Sequence, residues 1–126
     1  KVSQNISIDF PNRVSTHLWK KYQPLTVDEL LAYIARYEIG KSRKYQTDLI
    51  NRIKLCLNNP KKLRKIEKKM LTLLKDENAT QDCKIFLCRQ LSWMGSERSI
   101  AALEELANNE DLTESALFAI ERLKEK

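Results

Sequence analysis

Apolar residues recur every three or four positions from residue 26 to the end of the chain, the spacing that places them on one face of an α-helix. The pattern predicts six helices. The first runs from residue 26 until a glycine at 40, and the second, third and fourth cover residues 44–57, 60–75 and 80–94. The fifth follows residue 96 and closes at the asparagines 108–109, and the sixth begins at 111.

Helix start signals support these boundaries. Thr26 and Glu29 form a capping-box pattern, in which each side chain can bond the backbone N–H of the other. Asn59 is a favourable N-cap, and Pro60 suits a first helical position, where no backbone N–H is needed. The segment Asp111–Glu114 predicts a second capping box at the start of the sixth helix.

The inward face of each predicted helix defines a candidate core, in which we expect the fourth helix to be central. The inward residues are Leu30, Leu31, Ile34, Ala35, Leu49, Ile50, Ile53, Leu57, Leu63, Ile66, Met70, Leu73, Leu74, Phe86, Leu87, Leu91, Ile100, Leu103, Leu106, Ala116, Ala119, Ile120 and Leu123.

The helices also show weak internal repetition. A shift of 33 residues superposes Leu73 on Leu106, Thr80 on Thr113 and Arg89 on Arg122. Repeated helix pairs favour a stack over a single bundle. We therefore predict an all-α fold of the α-α superhelix type, a short solenoid of about three helix pairs.

Composition agrees with a helical domain. The 126 residues suit one domain, and only 2 glycines and 3 prolines are present, too few for a β fold rich in turns. Gly40 and Gly95 are each expected to end a helix. Residues 1–25 lack a sustained helical period and predict an arm that packs on the body through Phe10 and Trp19, leaving residues 26–126 as the repeat domain.

Charge is divided sharply along the chain. Residues 1–75 hold 17 Lys/Arg and 6 Asp/Glu, a net charge of +11, whereas residues 76–126 hold 6 and 11, a net charge of −5. No run of about 18 apolar residues is present, so we predict no membrane span. No signal segment is recognisable, although a removed one is compatible with a chain that starts at lysine.

The segment Cys88–Leu103 resembles bacterial HEAT repeats, in which a helix ending in Cys-Arg-Gln-Leu precedes a glycine link and a second amphipathic helix. The segment Tyr37–Arg43 is similar to a Tyr-x-x-Gly-x-Ser-Arg element of the same group. An Ala-Arg-Tyr-Ala-Leu-Glu motif of that group corresponds to Ala116–Glu121, where its arginine is missing. The resemblance covers about residues 26–124 and implies a domain of a larger secreted or periplasmic protein.

Two groups of residues are candidate binding residues. The third helix carries many cations, among them Lys61, Lys65 and Lys68, which predict either a phosphate-binding patch or, as we favour, a solvated face that includes Glu67. Its excess of lysine over arginine and its lack of aromatic residues are atypical of nucleic-acid readers.

The fourth helix carries the second group. Arg89 and Gln90 could face a ligand on a concave surface, or bond a neighbour such as Asp82 or Glu121, which we favour. Trp93 is also a candidate binding residue, and we expect it to pack in the core together with Met94.

The sequence contains no motif that supports a catalytic site or a metal site. The three cysteines are expected to be buried free thiols, since Cys83 and Cys88 lie about 140° apart around a helix and no Cys-x-x-Cys occurs. His17 has no nucleophile or acid at a recognisable spacing, and adjacent acids such as Glu104 and Glu105 do not face each other on a helix. We expect no cofactor and no metal.

The sequence therefore predicts a non-catalytic interaction or scaffolding module, monomeric, that binds a protein partner or an adjacent domain. The alternative is a nucleic-acid-binding module that uses the basic first half, and nucleic acid is not the partner we expect. An enzyme is the least supported reading, because no motif points to one.

Overall fold

The structure, a computed structural model, describes residues 24–126. The predicted N-terminal arm, with Phe10, His17 and Trp19, lies outside the described residues apart from its last two positions. The described part is helical throughout and contains no strand. Its elements are α1 (Val27–Ile34), α2 (Lys44–Leu55), α3 (Pro60–Leu74), α4 (Gln81–Met94), a 3₁₀ helix (Glu97–Ser99), α5 (Ile100–Leu106) and α6 (Thr113–Lys124).

The two N-caps predicted for the first and third helices, Thr26 and Asn59, are confirmed. The Glu29 N–H donates to Thr26 Oγ1 at 3.1 Å, and the Thr26 N–H donates to Glu29 Oε1 at 2.8 Å, which completes the capping box of α1. Asn59 Oδ1 accepts the Lys62 N–H at 3.2 Å, with Pro60 at the first position of α3. Thr80 caps α4 in the same way.

Two predicted helix ends are wrong. The first helix ends at Ile34, and Gly40 instead takes a positive φ of 101° in the turn that follows, where a residue with a side chain would be strained. The second helix ends at Leu55, two residues early, so that Leu57 lies in the link and is 49% exposed instead of inward.

The predicted capping box of the last helix does not form. The N-cap of α6 is Leu112, which has no side-chain acceptor to offer. The Thr113 hydroxyl instead donates back to the carbonyls of Ala107 and Asn109, and Asp111 Oδ2 accepts from the Gln81 side chain at 2.9 Å. The side chains of Asp111 and Thr113 therefore bond α4 and the preceding turn, and neither caps the start of α6.

The core centres on α4, which packs against α3 and most extensively against α6. Leu87 and Leu91 are fully buried on α4, and seven of its 14 side chains are buried. Around it, α1 packs on α2 and α3, and α5 packs on α3 and α6. Within the predicted core set, Ala35, Ile50, Leu63, Leu73, Ile100 and Leu106 are only partly buried against this core.

One buried carboxylate joins α3 to the segment after α4. Glu67 is only 4% exposed, although we predicted it as part of a solvated face. Its Oε2 accepts the Ser96 N–H at 2.7 Å and the Ser99 hydroxyl at 2.5 Å, and both oxygens accept from the Ser96 hydroxyl. A buried charge is tolerated only when it is well bonded, and these serine donors supply that.

Gly95 makes the turn into this segment possible. A Cβ atom at this position would lie 2.6 Å from the Leu91 carbonyl oxygen and 3.2 Å from Ser99 Oγ. Because the first neighbour is backbone at the end of α4, it cannot move aside easily. The predicted helix-ending role of this glycine is confirmed, and its cause is close packing, since its φ of −75° is open to any residue.

Phe86→Ala is expected to lower the free energy of unfolding by about 3–5 kcal/mol, because Phe86 is 6% exposed and packs within the core. Phe118→Ala is the matched control, since Phe118 is 47% exposed, and should cost about 1 kcal/mol or less. Urea unfolding followed by circular dichroism measures both. Equal midpoints for the two variants would contradict the central position of Phe86.

Glu67→Ala should destabilise by about 1–3 kcal/mol, because the serine donors lose their buried acceptor. Glu104→Ala removes an exposed carboxylate from α5 and should change stability by about 0.5 kcal/mol or less. Glu67→Gln, which keeps one acceptor oxygen, should lie between them. If both alanine variants unfold at the same urea concentration, the carboxylate does not hold the two segments together.

Candidate binding surfaces

Six cationic side chains on α3 are exposed, namely Lys61, Lys62, Arg64, Lys65, Lys68 and Lys69. We call them the α3 basic surface. Lys69 Nζ lies 2.7 Å from Asp28 Oδ1, the single ion pair within 4.0 Å among residues 24–126. The structure thus brings the predicted residues Lys61, Lys65 and Lys68 onto one helix, without acidic partners in the described part of the chain.

A groove borders the α3 basic surface. Arg64, Lys68 and Leu71 of α3 line it, together with Arg98 of the 3₁₀ helix and Glu67, and its volume is about 280 Å³. Since the Glu67 oxygens face serine donors, the three cations remain available to an anionic group. Arg98 was not among the predicted binding residues, because it lies 30 positions after Lys68 and reaches the groove only through the fold.

The second predicted group is not assembled as a site. Gln90 is buried, at 5% exposed, and its Oε1 accepts the indole N–H of Trp93 at 2.8 Å. Trp93 itself is 37% exposed and does not pack in the core as predicted. Asp82 also differs from expectation, because its Oδ2 accepts the Ile39 N–H at 3.0 Å and does not pair with Arg89. Of these three residues of α4, Arg89 and Trp93 are exposed and Gln90 is not.

Arg89 lines a pocket of about 300 Å³ between α4 and α6. Glu114 and Phe118 are among the other lining residues, and the guanidinium of Arg122 lies 5.3 Å from the centroid of the Phe118 ring. Charges of both signs meet here, so the pocket favours neither anions nor cations.

A third pocket lies between the end of α1 and the start of α2, with a volume of about 340 Å³. Its lining combines aromatic rings with cations: Tyr33, Tyr37, Tyr45, Arg36, Lys41 and Lys44, with Ile34, Ser42 and Gln46. We call it the tyrosine pocket. None of its residues was predicted as a binding residue, although tyrosines interspersed with Arg and Lys between residues 33 and 45 are visible in the sequence.

No arrangement for nucleophilic or metal chemistry stands out in residues 24–126. Burial raises the pKa values of the Cys83 and Cys88 thiols to about 12, which leaves almost no reactive thiolate near neutral pH. Groups of three or more His, Cys, Asp or Glu that could hold a metal are absent from this range. None of its helices is long and apolar enough to cross a membrane.

Comparison of the chain with protein-family models, curated proteins and solved structures found no match.

Cys83 and Cys88 should resist alkylation by iodoacetamide at pH 8, because a pKa of about 12 leaves about one thiol in ten thousand ionised. Cys56 is half-buried and should react first. Peptide mass spectrometry after timed labelling gives the three rates, and all three cysteines should react at similar rates in guanidinium chloride. Native labelling of Cys83 as fast as that of Cys56 would show that the centre of the core opens readily.

Proposed function

We propose that this domain is a non-catalytic binding module that docks a protein partner or an adjacent domain through the α3 basic surface. The single observation that carries the proposal is the charge arrangement on α3. Five of its six exposed cations have no acidic partner in residues 24–126, while its one acid, Glu67, is turned into the core.

The spacing of these cations supports a partner. Lys61, Lys65 and Lys69 follow one another at four-residue intervals, and like charges at that spacing destabilise a helix by a few tenths of a kcal/mol per pair, about 0.2–0.5. Stability alone does not favour such a row. An acidic surface on a partner would offset the repulsion, and the groove beside Arg98 would admit a carboxylate next to the apolar side chain of Leu71.

The helix contacts support a HEAT-like superhelix of about three pairs as the architecture of this module. In addition to the pairs α1–α2, α3–α4 and α5–α6, contacts join α3 with α1 and α5, and α4 with α6. Three of the four pairs of helices that lie two positions apart in the chain are therefore in contact, as expected for successive repeats, whereas α2 and α4 are not among the more extensive contacts. Together with the resemblance of Cys88–Leu103 to bacterial HEAT repeats, this favours an accessory domain of a secreted or periplasmic protein.

An acidic peptide tests the docking surface. A fluorescent 12-residue peptide rich in Asp and Glu should bind at low salt, and Lys65→Glu/Lys68→Glu should weaken binding by about tenfold, or about 1.4 kcal/mol. Lys84→Glu/Lys124→Glu makes the same change of net charge on α4 and α6, and should alter binding by about twofold or less. Fluorescence anisotropy measures each affinity. Equal losses in both variants would show that net charge alone governs binding and would contradict a docking surface on α3.

Binding of DNA tests the alternative function, a nucleic-acid-binding module. Duplex and single-stranded oligonucleotides should bind the α3 basic surface weakly at physiological salt and without sequence preference, because binding releases counterions from the DNA and this release becomes less favourable as the salt concentration rises. The same anisotropy assay at low and physiological salt measures this. Submicromolar, sequence-selective binding that Lys65→Glu/Lys68→Glu abolishes would favour a nucleic-acid-binding module over a protein-binding one.

A further inference from the structure

The tyrosine pocket contains a preformed aromatic stack. The rings of Tyr33 and Tyr45 lie 4.2 Å apart between centroids and are inclined by only 7°. Tyr33 remains 51% exposed, so the stack ends at the surface on a ring that a planar ligand can reach. Each ring restrains the other, which lowers the entropy lost when a third ring is added.

The charges that line the tyrosine pocket are of one sign. Arg36, Lys41 and Lys44 line it, and none of them forms an ion pair within the described residues. Lys44 Nζ lies 5.0 Å from the centroid of the Tyr45 ring, so a cation stands directly beside the stack. No acidic residue lines the pocket. The arrangement therefore attracts an anion next to an aromatic surface.

A residue that lines the same pocket carries a buried hydrogen-bond donor. Gln46 is 92% buried, since only 8% of its surface is exposed, and it belongs to the pocket lining. Its Nε2 has no hydrogen-bond partner, the single buried side-chain polar atom of which this is true in the described part. Leaving such a group unbonded is unfavourable, so an acceptor oxygen from a ligand would be favourable here once the Gln46 side chain turns toward the pocket.

The wall of the pocket is fixed to the core by α4. The Thr80 N–H donates to the Ala35 carbonyl at 3.0 Å, and the Thr80 hydroxyl donates to the Tyr37 carbonyl. The Ile39 N–H donates to Asp82 Oδ2 at 3.0 Å. The turn after α1 is thus held in place at three points, and the pocket needs little rearrangement to accept a ligand.

We propose that the tyrosine pocket binds a nucleoside phosphate. The base stacks on the exposed ring of Tyr33, the phosphate contacts Lys41 and its neighbouring cations, and Gln46 Nε2 donates to an oxygen of the phosphate or of the base. The volume of about 340 Å³ lies at the small end of ligand pockets and suits one nucleotide. A neutral sugar would leave the cations unused, and an acidic side chain would leave the aromatic stack unused.

The nucleotide can be free or part of a single strand, and the titration separates the two sources. The probes are AMP, UMP, a hexanucleotide of riboadenylate, inorganic phosphate and phosphotyrosine, each measured by isothermal titration calorimetry at 50 mM and 150 mM salt. Saturable binding of AMP would assign a free nucleotide, whereas binding of the hexanucleotide alone would assign a single strand. Inorganic phosphate should bind at least about tenfold more weakly than the nucleotide that binds, because it lacks the stacking base.

Three variants test the roles of the residues. Tyr33→Ala should weaken nucleotide binding by about tenfold or more through loss of stacking, and Lys41→Ala by about threefold or more at 50 mM salt. Gln46→Leu should weaken it by about fivefold or more, because the donor is lost. Phe118→Ala and Lys124→Ala are the matched aromatic and cationic controls outside the pocket and should change binding by less than twofold. Circular dichroism confirms folding, and exposed Lys41 and Tyr33 remain informative if Gln46→Leu is unstable.

The proposal is overturned if neither AMP, UMP nor the hexanucleotide binds, or if Tyr33→Ala leaves binding unchanged. Phosphotyrosine that binds more tightly than every nucleotide would also overturn it and would assign a phosphopeptide. The inference is independent of the function proposed for the α3 basic surface. Accordingly, Lys65→Glu/Lys68→Glu should leave nucleotide affinity within about twofold, so that either proposal can fail alone.

Discussion

The burial of α4 is the constraint on which the described structure depends. Helices of this length are marginal in water by themselves, and tertiary packing of an apolar face supplies most of their stability. Half of the α4 side chains are buried, with Cys83, Leu87 and Leu91 fully excluded from solvent. Both α3 and α6 pack on this helix, and α1 and α5 reach it through α3 and α6. This packing therefore determines the geometry of the surfaces at the two ends of α4.

Each end of α4 shapes a different surface. At its start, Thr80 and Asp82 bond the turn after α1 and so fix the wall of the tyrosine pocket. At its end, Gly95 allows the close turn that carries Ser96 to the Glu67 carboxylate, and the same turn places the 3₁₀ helix beside the α3 basic surface. Lys126 adds a charged donor to the carbonyls that close the helix. One buried helix thus positions the walls of two binding surfaces that share no residue.

The features that could be predicted from the sequence are those that depend on residues close together in the chain. The all-helical fold, the caps at Thr26 and Asn59, and the burial of Phe86 all follow from side chains within a few residues of each other. Glu67 could not be predicted in this way, because its burial depends on serines 29 and 32 positions further along the chain. The pocket at Tyr33 was overlooked for another reason: its alternating tyrosines and cations were visible, and stacking across the turn became clear only from the fold.

Charge and shape contribute differently to recognition by the two proposed binding surfaces. Residues 24–75 hold 13 Lys/Arg and 5 Asp/Glu, a net charge of +8, and both the α3 basic surface and the tyrosine pocket lie in this half. Its field attracts anions in general and is screened over about 8 Å at physiological ionic strength, so it speeds encounter without selecting a partner. Selection requires short-range contacts, which are the Arg98 groove on one surface and the Tyr33–Tyr45 stack with the Gln46 amide on the other. Added salt should therefore reduce the affinity of both surfaces, while the ranking of ligands at each surface depends on these short-range contacts and should persist.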